Sequence, residues 1–109
     1  MEEQYIITNA DGVKFYYKDK EQTILHREDG PAIEYAGGSK SWYVNGKLHR
    51  LDGPAFEHAD GNRSWYVNGK RHRIDGPAIE WANGEKAWYV NGVFIMSVDR
   101  SGQLIKRME

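Results

Sequence analysis

The chain has 109 residues, a formal net charge of −1, 13% aromatic residues and no cysteine. This length suits one small domain, the aromatic content excludes a disordered chain, and the lack of cysteine excludes a disulfide framework. The balanced charge argues against duplex DNA as a partner, because DNA-binding domains usually present a basic face. We find no signal peptide and no apolar stretch long enough to span a membrane, so we expect a cytoplasmic protein.

Residues 1–24 are predicted to form a divergent N-terminal unit, related to the repeats that follow. Its Phe15-Tyr16-Tyr17 segment aligns with Ser64-Trp65-Tyr66 of a later repeat, but the unit has no Asp-Gly-Pro-Ala segment. Terminal units of repeat proteins are often atypical because one of their edges has no neighbour.

Three copies of a 23-residue repeat come next. Residues 25–47 read LHREDGPAIEYAGGSKSWYVNGK, residues 48–70 read LHRLDGPAFEHADGNRSWYVNGK and residues 71–93 read RHRIDGPAIEWANGEKAWYVNGV. Fourteen of the 23 columns are identical in all three copies. A fixed period of this size indicates a repeat architecture, in which residues that recur at a regular pitch are expected to be structural.

Residues 94–109 are predicted to form a C-terminal cap on the same single domain, which spans residues 1–109. Phe94-Ile95-Met96 takes the place of the Leu-His-Arg segment that opens the first two repeats. A turn is expected from Asp99 to Gly102, followed by a short apolar run at Leu104-Ile105.

Each repeat contains three turn signals separated by short runs of strand-favouring residues. In the first copy the signals are Asp29-Gly30-Pro31, Gly37-Gly38 and Asn45-Gly46. Asn-Gly and Asp-Gly supply the positive φ that tight hairpin turns require, and the runs between turns alternate with period two and show no helical periodicity. The sequence therefore predicts an all-β fold, an open antiparallel β-meander of stacked hairpin repeats in a single-layer sheet.

The segment Trp-Tyr-Val-Asn-Gly-Lys-Leu-His, which ends at His49, and the later Ala59-Asp60-Gly61 together resemble MORN-type repeats (membrane occupation and recognition nexus). The similarity covers roughly residues 10–97. Lys-Ser-Trp replaces the usual Gly-x-Trp entry and His-Arg-x-Asp-Gly-Pro replaces His-Gly-x-Gly, so the chain is closer to the bacterial and phage variants. The resemblance implies an open antiparallel sheet that serves as a protein-interaction scaffold or for self-association.

His26, His49 and His72 recur at the repeat period and invite a metal hypothesis. One repeat adds about two strands, so equivalent residues should stand roughly 10 Å apart, too far to share an ion. We therefore expect no metal site and no cofactor. The favoured interpretation is that each His and the Arg after it brace the Asp-Gly-Pro turn, with the Arg pairing an Asp of its own or a neighbouring copy.

Glu34, Glu57 and Glu80 are the acidic residues kept mid-strand in every copy. Strands disfavour Glu on average, so its recurrence needs a reason. A Glu–Arg ladder across repeats is favoured over an acidic stripe that faces a partner. The three residues nevertheless stay among the candidate partner-binding residues.

The Trp and Tyr columns should point to opposite faces of a regular strand. Trp42, Trp65 and Trp88, with the Val two residues after each, are expected to form the core. The Tyr column suits a surface, because a Tyr ring contacts apolar matter while its hydroxyl stays wet. The column of Tyr35, His58 and Trp81 is a second candidate, because it varies between copies as a partner-specific surface would. The candidate partner-binding residues outside the Glu column are Tyr43, Tyr66, Tyr89, Tyr35, His58 and Trp81.

No catalytic motif appears, and we expect a non-enzymatic protein-interaction module with a protein partner, a second copy of the chain, or both. Its size and type suit a phage-encoded inhibitor of a host protein such as a CRISPR or other defence effector, acting in the host cytoplasm. The alternatives are a choline- or glycan-binding aromatic module, and a nucleic-acid-binding or nucleic-acid-mimicking protein that would use the edge formed by Lys47, Lys70, Arg71 and Arg73. No membrane or small-molecule substrate is expected.

Overall fold

The computed structural model describes residues 4–109, which contain fourteen short β-strands and no α-helix. The molecule measures 47 × 26 × 19 Å. None of the described residues forms a helix with the length and apolar character needed to cross a membrane. The strands are β1 (Tyr5–Thr8), β2 (Lys14–Tyr17), β3 (Ile33–Glu34), β4 (Lys40–Ser41), β5 (Tyr43–Val44), β6 (Lys47–Leu48), β7 (Phe56–Glu57), β8 (Arg63–Ser64), β9 (Tyr66–Val67), β10 (Lys70–Arg71), β11 (Ile79–Glu80), β12 (Lys86–Val90), β13 (Val93–Val98) and β14 (Leu104–Arg107).

The main sheet is open, antiparallel and ten strands wide. Its order is β1-β2-β3-β4-β7-β8-β11-β12-β13-β14, so the chain moves across the sheet in one direction. The pairs β5-β6 and β9-β10 form two short hairpins at the Asn-Gly turns. The predicted all-β, open antiparallel meander is confirmed, and each of the first two repeats contributes one hairpin to the main sheet.

The turn chemistry of the sequence determines both kinds of hairpin. Asn45 and Gly46 have φ of 52° and 80°, and the equivalent pairs in the other repeats match them. Two successive positive φ values define the type I′ turn, whose twist fits antiparallel strands. The other hairpin turns place Gly38, Gly61 and Gly84 at φ near 100°, a region in which Gly has no steric penalty.

The sheet has large and small side chains alternating on both of its faces. On one face, Ile33, Phe56 and Ile79 are separated by Ser41, Ser64 and Ala87 of the intervening strands. On the other face, the same register places Ala55 between Trp42 and Trp65, and the Trp42 N–H donates to the Ala55 carbonyl at 2.7 Å. A ring can lie flat over the neighbouring strand only where that strand offers a small side chain.

The core is therefore not the Trp and Val stripe that the sequence predicts. The three Trp residues are half-buried, whereas Ala32, Ala55 and Ala78 are 0% exposed and Ile33 and Ile79 are 6% and 7% exposed. The prediction was wrong because a single sheet has no second layer to cover a large ring completely. Alanine beneath neighbouring rings is covered fully.

The end units copy this packing with different residues. Tyr16 occupies the place of the Trp, as the alignment of residues 15–17 predicts, and its carbonyl accepts the His26 N–H as the Trp42 carbonyl accepts the His49 N–H. Met96 lies opposite Trp88 in the position that Arg holds in the repeats. The predicted turn forms at Asp99–Gly102, where the Gly102 N–H donates to the Asp99 carbonyl.

Candidate partner-binding faces

The two faces of the sheet divide the residues predicted to bind a partner. Side chains alternate along a strand, so Ile33 and Tyr35 point to one face and Glu34 to the other. We call the first the aromatic face. It carries the Tyr column and the variable column with Phe56, namely Tyr35, Tyr43, Phe56, His58, Tyr66, Trp81 and Tyr89. The charged face carries Glu34, Glu57 and Glu80, so the predicted residues do not form one continuous surface.

The charged face contains a cross-strand row of alternating charge. Glu57 pairs with Lys40 on one side and with Arg63 on the other, and Arg63 pairs in turn with Glu80 of the next repeat. The Cα register of this row is Lys14–Glu34–Lys40–Glu57–Arg63–Glu80–Lys86. Opposite charges on facing strands stabilise a register. This arrangement fits the ladder interpretation of the Glu column and gives those residues a structural role.

The side-chain ion pairs of these glutamates are formed with other arginines, within a repeat rather than across repeats. The Arg50 Nη1 donates to Glu57 at 3.1 Å and to the Pro54 carbonyl at 3.0 Å, and its Nε donates to Asp52 at 3.1 Å. Arg73 repeats all three bonds in its own copy. The predicted pairing of Arg with the Asp of its own copy is observed.

Each of these guanidinium groups also stacks on an aromatic ring. Arg50 lies 3.9 Å from the Trp42 ring centroid, and Arg73 lies 4.0 Å from that of Trp65. On the other side of Arg50, a Cβ placed on Gly53 would lie 2.8 Å from its Cζ. The glycine of Asp-Gly-Pro is therefore needed because a guanidinium packs against it, whereas the sequence predicted that it supplies positive φ, which it does not have.

The histidines act on a different turn from the predicted one. The Nδ1 of His26 accepts the backbone N–H of Asn45 at 2.9 Å, and His49 and His72 accept the equivalent N–H groups of Asn68 and Asn91. Each His therefore caps an Asn-Gly turn and does not brace Asp-Gly-Pro. Within residues 4–109, no group of three or more metal-ligating side chains lies close enough to hold an ion.

Two equivalent open clefts lie between successive Asp-Gly-Pro loops. Their volumes are about 580 and 740 Å³. Trp42 and Val44 line the first and Trp65 and Val67 the second, and Leu51, which lies between the two, is 80% exposed. One face of each Trp in these clefts is occupied by the protein's own Arg.

Among residues 4–109, the rings of the aromatic face carry no Arg–Glu network like that of the charged face, and the ion pair found there joins His58 to Asp60 at 2.8 Å. Tyr35 and Trp81 are each 37% exposed, and His58 is exposed. The ring of Phe56 lies 6.4 Å from Tyr35 and 6.1 Å from His58, within the range of aromatic pairs. Burial raises the pKa of the Tyr43 hydroxyl, and the neighbouring Tyr35 and Tyr66 hydroxyls raise it further. Tyr35, Phe56 and His58 thus form a connected cluster of rings on this face.

The sequence analysis assigned Arg71 only to a basic edge for nucleic acid, whereas the structure shows it on this face between two tyrosines. Its guanidinium is 5.4 Å from the Tyr66 ring centroid and 4.9 Å from that of Tyr89. The Tyr89 ring meets Phe94 edge-on at 5.5 Å, and the Lys106 ammonium lies 5.9 Å from the Phe94 ring. The available signal was the column itself, in which Leu25 and Leu48 of the first two copies become Arg71 in the third.

Comparison with known proteins adds no assignment. No protein-family model matches the chain, and no curated protein matches it significantly.

Proposed function

We propose that this protein is a non-enzymatic protein-interaction module that binds its partner through the aromatic face. The observation that carries the proposal is the aromatic face, on which the rings of Tyr35, Phe56 and His58 are in contact and each copy of the repeat adds a half-buried Tyr. Tyr and Trp are enriched at interfaces because they bury a large area at little conformational cost, and exposed apolar patches commonly mark binding sites. The partner is either a different protein, such as a host enzyme inhibited by a phage product, or a second copy of the chain.

The charged face is less suited to bind a partner, because its carboxylates already form ion pairs within the protein. Glu57 and Glu80 are paired with Arg50 and Arg73 at 3.1 and 3.2 Å, so a partner would have to displace internal ion pairs to reach these carboxylates. We therefore narrow the binding surface to the Tyr column and the Tyr35, His58 and Trp81 column. The resemblance to MORN-type repeats supports the same use of an open sheet.

The choline alternative is less favoured, because a quaternary ammonium needs a free aromatic face. One face of Trp42 and one of Trp65 are covered by Arg50 and Arg73. The alternating charge row likewise gives no uniformly basic surface for nucleic acid.

The proposal is tested by comparing surface variants in a pull-down from host lysate, followed by sedimentation of the pure protein. The triple variant Tyr43→Ala, Tyr66→Ala, Tyr89→Ala is expected to lose the captured partner or the self-association. The control, Lys47→Gln with Lys70→Gln, changes exposed residues on the opposite side of the Asn-Gly hairpins and should retain it.

A second variant guards against loss of fold in the triple variant. Tyr35→His with Trp81→His places in the outer copies the residue that the middle copy has at His58, so it should fold. We expect this variant to weaken binding about tenfold or more, as loss of aromatic anchors does at other interfaces. Identical partners and affinities for all variants would contradict the proposal.

A further inference from the structure

Arg71 differs from the other half-buried arginines of the described chain in having no acidic partner. Arg27, Arg50 and Arg73 each lie within 4.0 Å of an Asp and a Glu. Arg71 forms no ion pair with any residue in the described range. A half-buried cation without a counter-ion is unfavourable, so its place in the sheet calls for an explanation.

The immediate surroundings of Arg71 hold the guanidinium in place without neutralising it. Its Nη2 donates to the Tyr66 hydroxyl at 2.9 Å, and its Nε is buried without a hydrogen-bond partner. The rings of Tyr66 and Tyr89 flank it. The Nη1 group donates to no residue in the described part of the chain, so the group is oriented and retains unused donor capacity.

The repeat shows that the fold does not need a cation at this position. Leu25 and Leu48 stand in the same column, and Leu48 pairs with Tyr43 as Arg71 pairs with Tyr66. Leucine is therefore compatible with the hairpin and would leave no buried Nε without a partner. Arg71 therefore buries an Nε–H group without a hydrogen-bond partner, an unfavourable feature that Leu25 and Leu48 do not have.

A second cation extends the positive charge along the same face. Lys106 lies over Phe94, and Phe94 contacts Tyr89. Lys106 also has no ion-pair partner within the described residues. The result is a line of cations and rings, Arg71–Tyr89–Phe94–Lys106, at the C-terminal end of the aromatic face.

We propose that Arg71 is the anchor for a carboxylate side chain of the protein partner, with Tyr66 and Tyr89 orienting the guanidinium and Lys106 adding charge complementarity. The inference rests on the proposed function of the aromatic face. A guanidinium fork matches the two oxygens of a carboxylate. A single fork with one distant ammonium suits a carboxylate better than a phosphate, which has three acceptor oxygens to satisfy.

The test uses the full chain and three blocked tripeptides that differ in one side chain, Leu-Glu-Leu, Leu-Gln-Leu and Leu-phosphoSer-Leu. Backbone amide signals of Tyr66 and Tyr89 are followed by NMR during titration at low salt. We expect a saturable shift with Leu-Glu-Leu and affinity about tenfold weaker with Leu-Gln-Leu, the factor that corresponds to losing a charged hydrogen bond.

Arg71→Leu restores the residue of the first two copies and should fold. It is expected to bind Leu-Glu-Leu no better than Leu-Gln-Leu, whereas Arg63→Leu, which removes an exposed cation from the charged face, should bind like the wild type. A response that does not saturate, or that is equal in wild type and Arg71→Leu, would overturn the inference. If Leu-phosphoSer-Leu binds more tightly than Leu-Glu-Leu, the site prefers a phosphate and the assignment to a carboxylate is wrong.

The partner captured in the pull-down separates this inference from the proposed function. If the tyrosine variants lose that partner and Arg71→Leu keeps full affinity, only the role of Arg71 is refuted. If neither change affects the partner, both proposals fail.

Discussion

The imidazole of His49, near the start of the second repeat, reaches the Asn-Gly turn at the end of the same repeat, where its Nδ1 accepts the backbone N–H of Asn68 at 3.0 Å. The following N–H of the same turn, that of Gly69, donates to the Leu48 carbonyl at 2.8 Å. These two N–H groups are the ones that a two-residue turn leaves without a partner inside its own hairpin. Each Asn-Gly turn is therefore completed by the first two residues of its own repeat, which couples the turn that closes a repeat to the segment that opens it.

Replacing His26 with Ala is expected to destabilise the protein more than replacing His49. His26 is 5% exposed, so water cannot readily reach the Asn45 N–H that it leaves behind, and we expect a loss of about 2–3 kcal/mol in the free energy of unfolding. The Asn68 N–H lies in an exposed bond, so the loss for His49→Ala should be about 1 kcal/mol. Urea unfolding followed by Trp fluorescence measures both. Equal losses of unfolding free energy in the two variants would contradict the role given to the burial of the His26 hydrogen bond.

The contact between Arg50 and Gly53 predicts a coupled pair of substitutions. Gly53→Ala should destabilise the protein by about 1–2 kcal/mol, because the new Cβ meets the guanidinium held on Trp42. Gly53 has no positive φ, so in an Arg50→Ala background the same change should be neutral or slightly stabilising. A double-mutant cycle by urea unfolding measures the coupling. Simple additivity would mean that backbone conformation, not the guanidinium, requires the glycine.

Local chemistry made most of the fold predictable from the sequence. The Asn-Gly turns, the alternating runs and the 23-residue period depend on neighbouring residues, and they led to the open antiparallel meander that the structure shows. The same alternation predicted that Trp42 and Tyr43 point to opposite faces. The alignment of residues 15–17 with a repeat also predicted where Tyr16 lies.

Contacts between residues that lie far apart in the chain were the part that the sequence could not supply. His49 and Asn68 are 19 residues apart, and their spacing alone does not reveal which turn the imidazole reaches. The glycine of Asp-Gly-Pro looked like a turn residue because the guanidinium beside it becomes visible only once Arg50 is placed on Trp42. The burial of Ala55 follows from the rings on the two adjacent strands, which depends on strand register. Arg71 was assigned only to a basic edge, because its position between two tyrosine rings also depends on strand register.

Ala55 is expected to tolerate no larger side chain. It is 0% exposed between the strands that carry Trp42 and Trp65, so Ala55→Leu would push at least one ring off its strand and should reduce the free energy of unfolding by about 3 kcal/mol or more. Ala59→Leu, at an exposed turn position, is the matched control and should change it by less than about 0.5 kcal/mol. Thermal unfolding by circular dichroism measures both. Similar effects of the two changes would contradict the packing described for this face.

Asp99 is expected to make the C-terminal hairpin sensitive to acid. The Ser101 hydroxyl and then the Gln103 N–H hold the pKa of the Asp99 carboxyl below its ordinary value. A lowered folded-state pKa stabilises the fold above the unfolded pKa, and this contribution is lost as the pH falls through the folded pKa. Asp99→Asn keeps the Oδ1 acceptor but not the charge. The Tm difference between wild type and Asp99→Asn should therefore shrink from about pH 6 to about pH 3, near and below the ordinary Asp pKa. In the Ser101→Ala background, which lacks the main cause of the shift, the pH dependence of that difference should be weaker; a difference that is constant with pH would refute the assignment.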